Sequence, residues 1–164
     1  MTSAELQDYL HAHIPLSKAM EVSVLQSGHD AVVLGASLAP NINHRDTVFG
    51  GSSAALAILA AWGLLHVRMS EAGLASRLVI QGSTMSYTRP IEGAFTATAT
   101  IPEAERWSQF LKVYARRGRA RITVGATLTF RQQTAGIFSG EFVALPGHVP
   151  GRGDDGVHAA GLAG

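Results

Sequence analysis

Residues 54–65 read Ala-Ala-Leu-Ala-Ile-Leu-Ala-Ala-Trp-Gly-Leu-Leu, about 12 positions without a charge or a hydroxyl, and Ser53 and His66 bound them. The run falls short of the roughly 20 residues that span a bilayer. Gly50-Gly51-Ser52-Ser53 ahead of it reads as a helix entry, so the segment predicts a buried helix continuing to about Met69. A helix apolar on nearly all sides must be surrounded. One flat sheet cannot do this: either a sheet curls round the helix, or a second copy of the chain helps to close the core.

The flanking patterns supply such a sheet. Thr2 and Glu5 have the spacing of a capping box for a first helix carrying Leu6, Tyr9 and Leu10, which Pro15 must stop or redirect. Val22 and Val24, a turn at Ser27-Gly28-His29-Asp30, and Val32, Val33, Leu34 and Leu38 predict a hairpin. After Gly73 the pattern predicts a strand over 77–87, a turn at Arg89-Pro90-Ile91-Glu92-Gly93, and a strand burying Phe95, Ala97, Ala99 and Ile101. Pro102 suits the first turn of a short helix reaching Tyr114, with Trp107, Phe110, Leu111 and Tyr114 at helical spacing. Two last strands are expected over 119–131 and 137–145, with 132–136 as their turn. The order gives an α+β class, a curved antiparallel sheet wrapped around a long central helix. Residues 1–145 form one domain in this reading. Residues 146–164, rich in Gly, Pro, Asp, His and Ala without periodicity, read as a flexible C-terminal tail.

Composition narrows the chemistry. Apolar residues make up 46% and charged residues 15% of the 164, which suits a large buried fraction, a subunit interface included. The formal charge of +1 is too small to suggest general nucleic-acid or membrane binding. With no cysteine there is no disulfide framework, no Cys-ligated zinc and no cysteine nucleophile. The start, Met1-Thr2-Ser3-Ala4-Glu5-Leu6, lacks the basic and then apolar pattern of a secretory signal, so the expected compartment is the cytoplasm.

Chemistry concentrates in Asn41-Ile42-Asn43-His44-Arg45-Asp46-Thr47-Val48-Phe49-Gly50-Gly51-Ser52. Polar side chains gather there beside a glycine pair at a helix start. Glycines let a ligand approach the backbone. The first N–H groups of a helix lack intrahelical partners and sit at the positive end of its dipole, so they can hold an oxyanion or a polarised carbonyl. A plain helix entry explains Gly-Gly equally simply.

The segment as a whole resembles the hotdog thioesterases, and more closely the thioesterase family represented by the C-terminal domain of YiiD. The resemblance rests on Ile14-Pro15-Leu16-Ser17-Lys18-Ala19-Met20, Ala39-Pro40-Asn41-Ile42-Asn43-His44, Phe49-Gly50-Gly51-Ser52, Trp62-Gly63-Leu64-Leu65 and Tyr87-Thr88-Arg89-Pro90, in that order, and covers residues 14–145. It implies a hotdog fold and hydrolysis of acyl thioesters on coenzyme A or acyl carrier protein, without a metal or other cofactor. It makes Asn43 the residue whose amide orients the attacking water or the thioester, and the N–H of Gly51 the oxyanion donor. Phe49, Gly50 and Ser52 would contact substrate.

Many hotdog thioesterases carry a carboxylate on the central helix, and here no Asp or Glu occurs between Thr47 and Ser70. His44 and Asp46 are the candidates to replace it as base. Ser52 and Ser53 more simply cap the helix. Sites of this kind usually lie between two protomers, which implies a homodimer or a dimer of dimers whose second chain offers the strand around Gln81, Ser83 and Met85. Plain alternation of polar side chains toward water explains Gln81 and Ser83 as well.

The run Arg116-Arg117-Gly118-Arg119-Ala120-Arg121 suits the phosphates of such a carrier, with Arg116, Arg117 and Arg119 as contacts, or is a solvated turn. His66 near the end of the central helix reads as a favourable charge there. His11 and His13, two apart, do not share a helix face and predict no metal site. Arg152-Gly153-Asp154 reads as a chance tripeptide in the tail. The alternatives to hydrolysis are a hotdog dehydratase, which needs a helix carboxylate beside its His, and a non-catalytic acyl-binding domain that has lost the base.

Overall fold

The computed structural model describes residues 1–101 and 103–147. Pro102 and the segment 148–164, which holds most of the expected tail together with His148, His158 and Arg152-Gly153-Asp154, lie outside the described residues.

Helix α1 (Ser3–His13) opens with the capping box: Thr2 Oγ1 accepts from the Glu5 N–H at 3.2 Å, and the Glu5 carboxylate accepts from the Thr2 N–H at 2.7 Å. Pro15 then redirects the chain into the short α2 (Pro15–Ala19). The hairpin β1 (Ser23–Ser27) and β2 (Ala31–Ala36) leads through a single 3₁₀ turn (Ala39–Asn41) to the long α3 (Gly50–Glu71). There follow β3 (Ser76–Tyr87), β4 (Phe95–Thr100), α4 (Ala104–Arg117), β5 (Ala120–Phe130) and β6 (Gln133–Pro146).

The six strands form one antiparallel sheet in the order β1-β2-β4-β5-β6-β3. It curls so that α3 touches every strand from β2 to β6. Period-two alternation does the work: Phe95, Ala97 and Ala99 of β4, Ile122, Val124, Ala126 and Leu128 of β5, and Phe138 and Phe142 of β6 all turn inward onto Leu56, Ala60, Leu64 and Val67 of the helix. This is the hotdog architecture. At 22 residues α3 is long and apolar enough to cross a membrane by length and composition, yet its apolar side chains are the core of this sheet.

Among the described residues, two features remain uncovered. One edge of β3 has no described strand beside it, over 12 residues that are mostly exposed, Val79 and Ile80 among them. The helix face carrying Ala55, Ile58 and Trp62 is only half-buried.

Several boundaries differ from expectation. The β5–β6 turn is the pair Arg131-Gln132, both left-handed at φ 47 and 62, and not 132–136. The turn has none of the Gly or Asn that normally marks such a hairpin, so the sequence signal fell on Gly136 instead. Gly136 lies within β6, where an added Cβ would meet the Ser86 carbonyl oxygen at 3.0 Å. Helix α4 runs past Tyr114 to Arg117 because Gly118, left-handed at φ 68, is its terminator. At the other end Pro146 still pairs with Ser76, one residue past the expected end of the last strand.

Candidate active site

The Asn43 side chain knits together the loop before α3. Ile42 and Val48 form an antiparallel bridge, and between them Asn43 accepts on Oδ1 from the N–H groups of Arg45 (2.7 Å) and Thr47 (3.4 Å). Its Nδ2 donates to Thr47 Oγ1 at 2.9 Å and to the Val48 carbonyl at 3.3 Å. This self-bonding of Asn across a turn lets Asp46 adopt a left-handed φ of 58. His44, Arg45 and Asp46 stand exposed at the tip. Buried Asn41 anchors the base, its side-chain amide donating to the carbonyls of Met20 (3.0 Å) and Ser37 (2.8 Å), while its main-chain carbonyl accepts from the Phe49 N–H at 2.7 Å.

The start of α3 has no side-chain cap. Phe49 occupies the cap position and can accept nothing through its ring, and no acid lies in the first turn. The first N–H groups therefore keep the positive end of a 22-residue helix dipole without a neutralising partner on that turn. The exposed Phe49 ring folds back over Gly51, where any Cβ would overlap it. From the other side the Tyr87 ring lies against Gly50, 3.4 Å from the place a Cβ would take, and the Tyr87 hydroxyl donates to the Gly50 carbonyl at 2.9 Å.

Asn43, His44, Asp46, Phe49, Gly50, Gly51 and Ser52 thus lie on one continuous loop and helix start. The fold of one chain does not bring the others to them. Gln81 and Ser83 lie exposed on β3, about 20 and 14 Å along the strand from Tyr87 at some 3.4 Å per residue. Arg116 and Arg117 end α4 and Arg119 precedes β5, which starts level with Leu78, about 30 Å from Tyr87 on the same rise. Among the described residues no three His, Asp or Glu side chains gather where they could hold a metal ion.

The family described as "Putative thioesterase (yiiD_Cterm)" matches residues 3–146. The chain belongs to this family. Membership makes it an acyl thioester hydrolase in general terms, without naming the substrate. Among solved structures, a protein of unknown function from Chlorobaculum tepidum TLS is 28% identical with a TM-score of 0.83, over 88% of this chain and 94% of that one. A "putative thioesterase" from Shewanella oneidensis is 23% identical with a TM-score of 0.78, over 88% and 97%. A "probable thioesterase" from Pseudomonas aeruginosa is 22% identical with a TM-score of 0.74, over 87% and 95%. The last two likenesses bear on the fold.

Sequence reasoning overlooked three features, two at the site and one farther along α3. Tyr87 was visible only as part of Tyr-Thr-Arg-Pro, with nothing to tell its role. Thr47 passed as a loop residue, although its spacing from Asn43 suits the bond it makes. The third is a stack of Tyr9 and His13 of α1 with Trp62 and His66 of α3: ring centroids are 4.1 Å apart for Tyr9–His13, 4.5 Å for Tyr9–His66 and 4.7 Å for Trp62–His66. It corrects the reading of His66 as a charge at a helix end. Burial pushes its pKa below the ordinary 6.5, and nearby His13 pushes it the same way, so both its surroundings and its neighbour favour the neutral ring over the charged one.

Proposed function

We propose that the chain hydrolyses acyl thioesters carried on coenzyme A or acyl carrier protein, by attack of water on a carbonyl held at the Gly50-Gly51 start of α3. The observation that carries this reading is the uncapped helix start: the Gly51 N–H is a preorganised donor at the place where a thioester oxygen would develop charge. Phe49, Gly50 and Ser52 line its approach. His44 and Asp46, exposed on the adjoining loop, are the candidate bases for the water. Asn43 acts first by shaping this loop, because its amide already has partners on both sides. To orient a water it would exchange its longest bonds, to Thr47 N–H or the Val48 carbonyl.

The reading includes a homodimer, or a dimer of dimers, paired along the free edge of β3. Antiparallel pairing there would lay Gln81 and Ser83 of a second copy beside the first. It would also bring the Leu78 end of the second β3 next to Tyr87. The second copy's Arg116, Arg117 and Arg119 would then lie about two strand spacings, roughly 10 Å, from that point, suited to a carrier phosphate. A cytoplasmic setting accords with such carriers and with a cysteine-free chain.

The test is steady-state thiol release from a panel of acyl-CoA and acyl carrier protein thioesters, comparing wild type with Asn43→Ala, His44→Ala and Asp46→Ala. Saturable turnover lost in His44→Ala or Asp46→Ala, with the fold intact, identifies the base. Binding of the same thioesters without any turnover would replace hydrolysis by acyl binding.

A further inference from the structure

The Gly50 carbonyl and the Gly51 N–H are the two ends of one peptide group, and Tyr87 holds the carbonyl end. We infer that Tyr87 is a positioning residue for thioester hydrolysis, its hydroxyl fixing and polarising the peptide whose N–H receives the oxyanion. The inference rests on the reading of Gly51 as oxyanion donor.

A helix start with no side-chain cap is prone to fray, since its first peptides gain little from the ladder behind them. A donor useful to a transition state must instead stay aimed. The Tyr87 bond of 2.9 Å restrains the first peptide of α3 from outside the helix. It also draws electron density toward the carbonyl, which makes the N–H a stronger donor, as hydrogen bonds in a chain reinforce one another.

The tyrosine stands on firm ground. It ends β3 opposite Gly136 of β6, and immediately after it the N–H groups of Thr88 (2.9 Å) and Arg89 (3.4 Å) both donate to the Ala135 carbonyl. Thr88 Oγ1 donates to the Thr134 carbonyl at 3.2 Å, and the Arg89 guanidinium donates to the Gln133 side-chain oxygen. The Tyr-Thr-Arg segment is thereby clamped to β6, and Tyr87 carries that rigidity across to the helix. The ring lies at ordinary contact distance from where a Cβ at position 50 would be, so it packs directly on the first residue of α3.

Tyr87→Phe keeps the ring and removes the bond. With hexanoyl-CoA as substrate, kcat should fall about tenfold while KM and the unfolding midpoint hold, the signature of an interaction made in the transition state. A second readout is the infrared carbonyl stretch of a bound, ¹³C-labelled ketone analogue of hexanoyl-CoA with methylene in place of sulfur. The band should move to higher wavenumber in Tyr87→Phe as polarisation is lost.

Equal kcat and an equal band in the two proteins overturn the inference and leave the thioesterase reading standing. So does a parallel loss of KM, kcat and thermal stability, which marks Tyr87 as structural only. If the wild type binds the analogue yet hydrolyses nothing, the hydrolysis reading fails while the band comparison still decides whether Tyr87 polarises the peptide. A wild type that does neither ends both.

Discussion

Asn43 satisfies four hydrogen-bond positions of one loop with a single side-chain amide. Alanine there removes all four and leaves the Arg45 and Thr47 N–H groups to find water, so Asn43→Ala should lower stability by about 2 kcal/mol in urea unfolding. Asn43→Asp keeps the two acceptor bonds but sets a carboxylate oxygen against the Val48 carbonyl. It should recover only part of that loss, measured the same way. A small loss in both variants would mean that the loop holds itself through the backbone bridge of Ile42 and Val48.

Each element of the site is fastened by a contact that its own sequence does not announce. The far end of α3 is held by Arg68, a buried residue whose Nε donates to the His29 carbonyl at 2.6 Å and whose guanidinium lies 5.2 Å from the centre of the Trp107 ring. It ties the helix to the β1–β2 turn and to α4 at once. Arg68→Ala should cost about 2–4 kcal/mol through lost packing, a lost hydrogen bond and a lost cation–π contact, read as a shift in urea midpoint. Beneath Tyr87, Gly136 has the Ser86 carbonyl at 3.0 Å from any added Cβ and Met85 closer still. The methionine can swing aside and the backbone cannot. Gly136→Ala should therefore destabilise by about 1–3 kcal/mol, checked by thermal unfolding.

For the whole molecule, pH and self-association are the two tests. His66 has its folded pKa pushed below 6.5 by burial and by His13, so the unfolded chain takes up that proton first as pH falls. The stability it contributes is complete above about pH 6.5 and is lost below it. The melting temperature should drop between pH 7 and pH 5, and His66→Phe should flatten that slope. The open edge of β3 predicts a particle of two or four chains in sedimentation equilibrium. Lysines on an edge discourage pairing, so Gln81→Lys with Ser83→Lys should reduce the particle to one chain and abolish thioester hydrolysis.

The amino-acid sequence by itself determined the architecture and the place where the central helix begins. An apolar run with no polar face must be surrounded, period-two alternation on either side supplies a sheet that can curl round it, and Phe49-Gly50-Gly51 marks the helix start from local chemistry alone. Arg131-Gln132 went unread because tertiary pairing of β5 with β6 overrode weak turn propensity. Only the tertiary structure decided what meets the site. Tyr87 reaches Gly50 across 37 residues, and Tyr9 reaches Trp62 and His66 from another helix. It also decided how far apart the expected residues stand: the arginines of 116–119 lie about 30 Å down the sheet from the glycine pair at the rise of a β-strand. Spacing along the chain encodes a residue's partners only within a turn or a strand. Contacts between elements follow from how the sheet wraps, which no local pattern specifies.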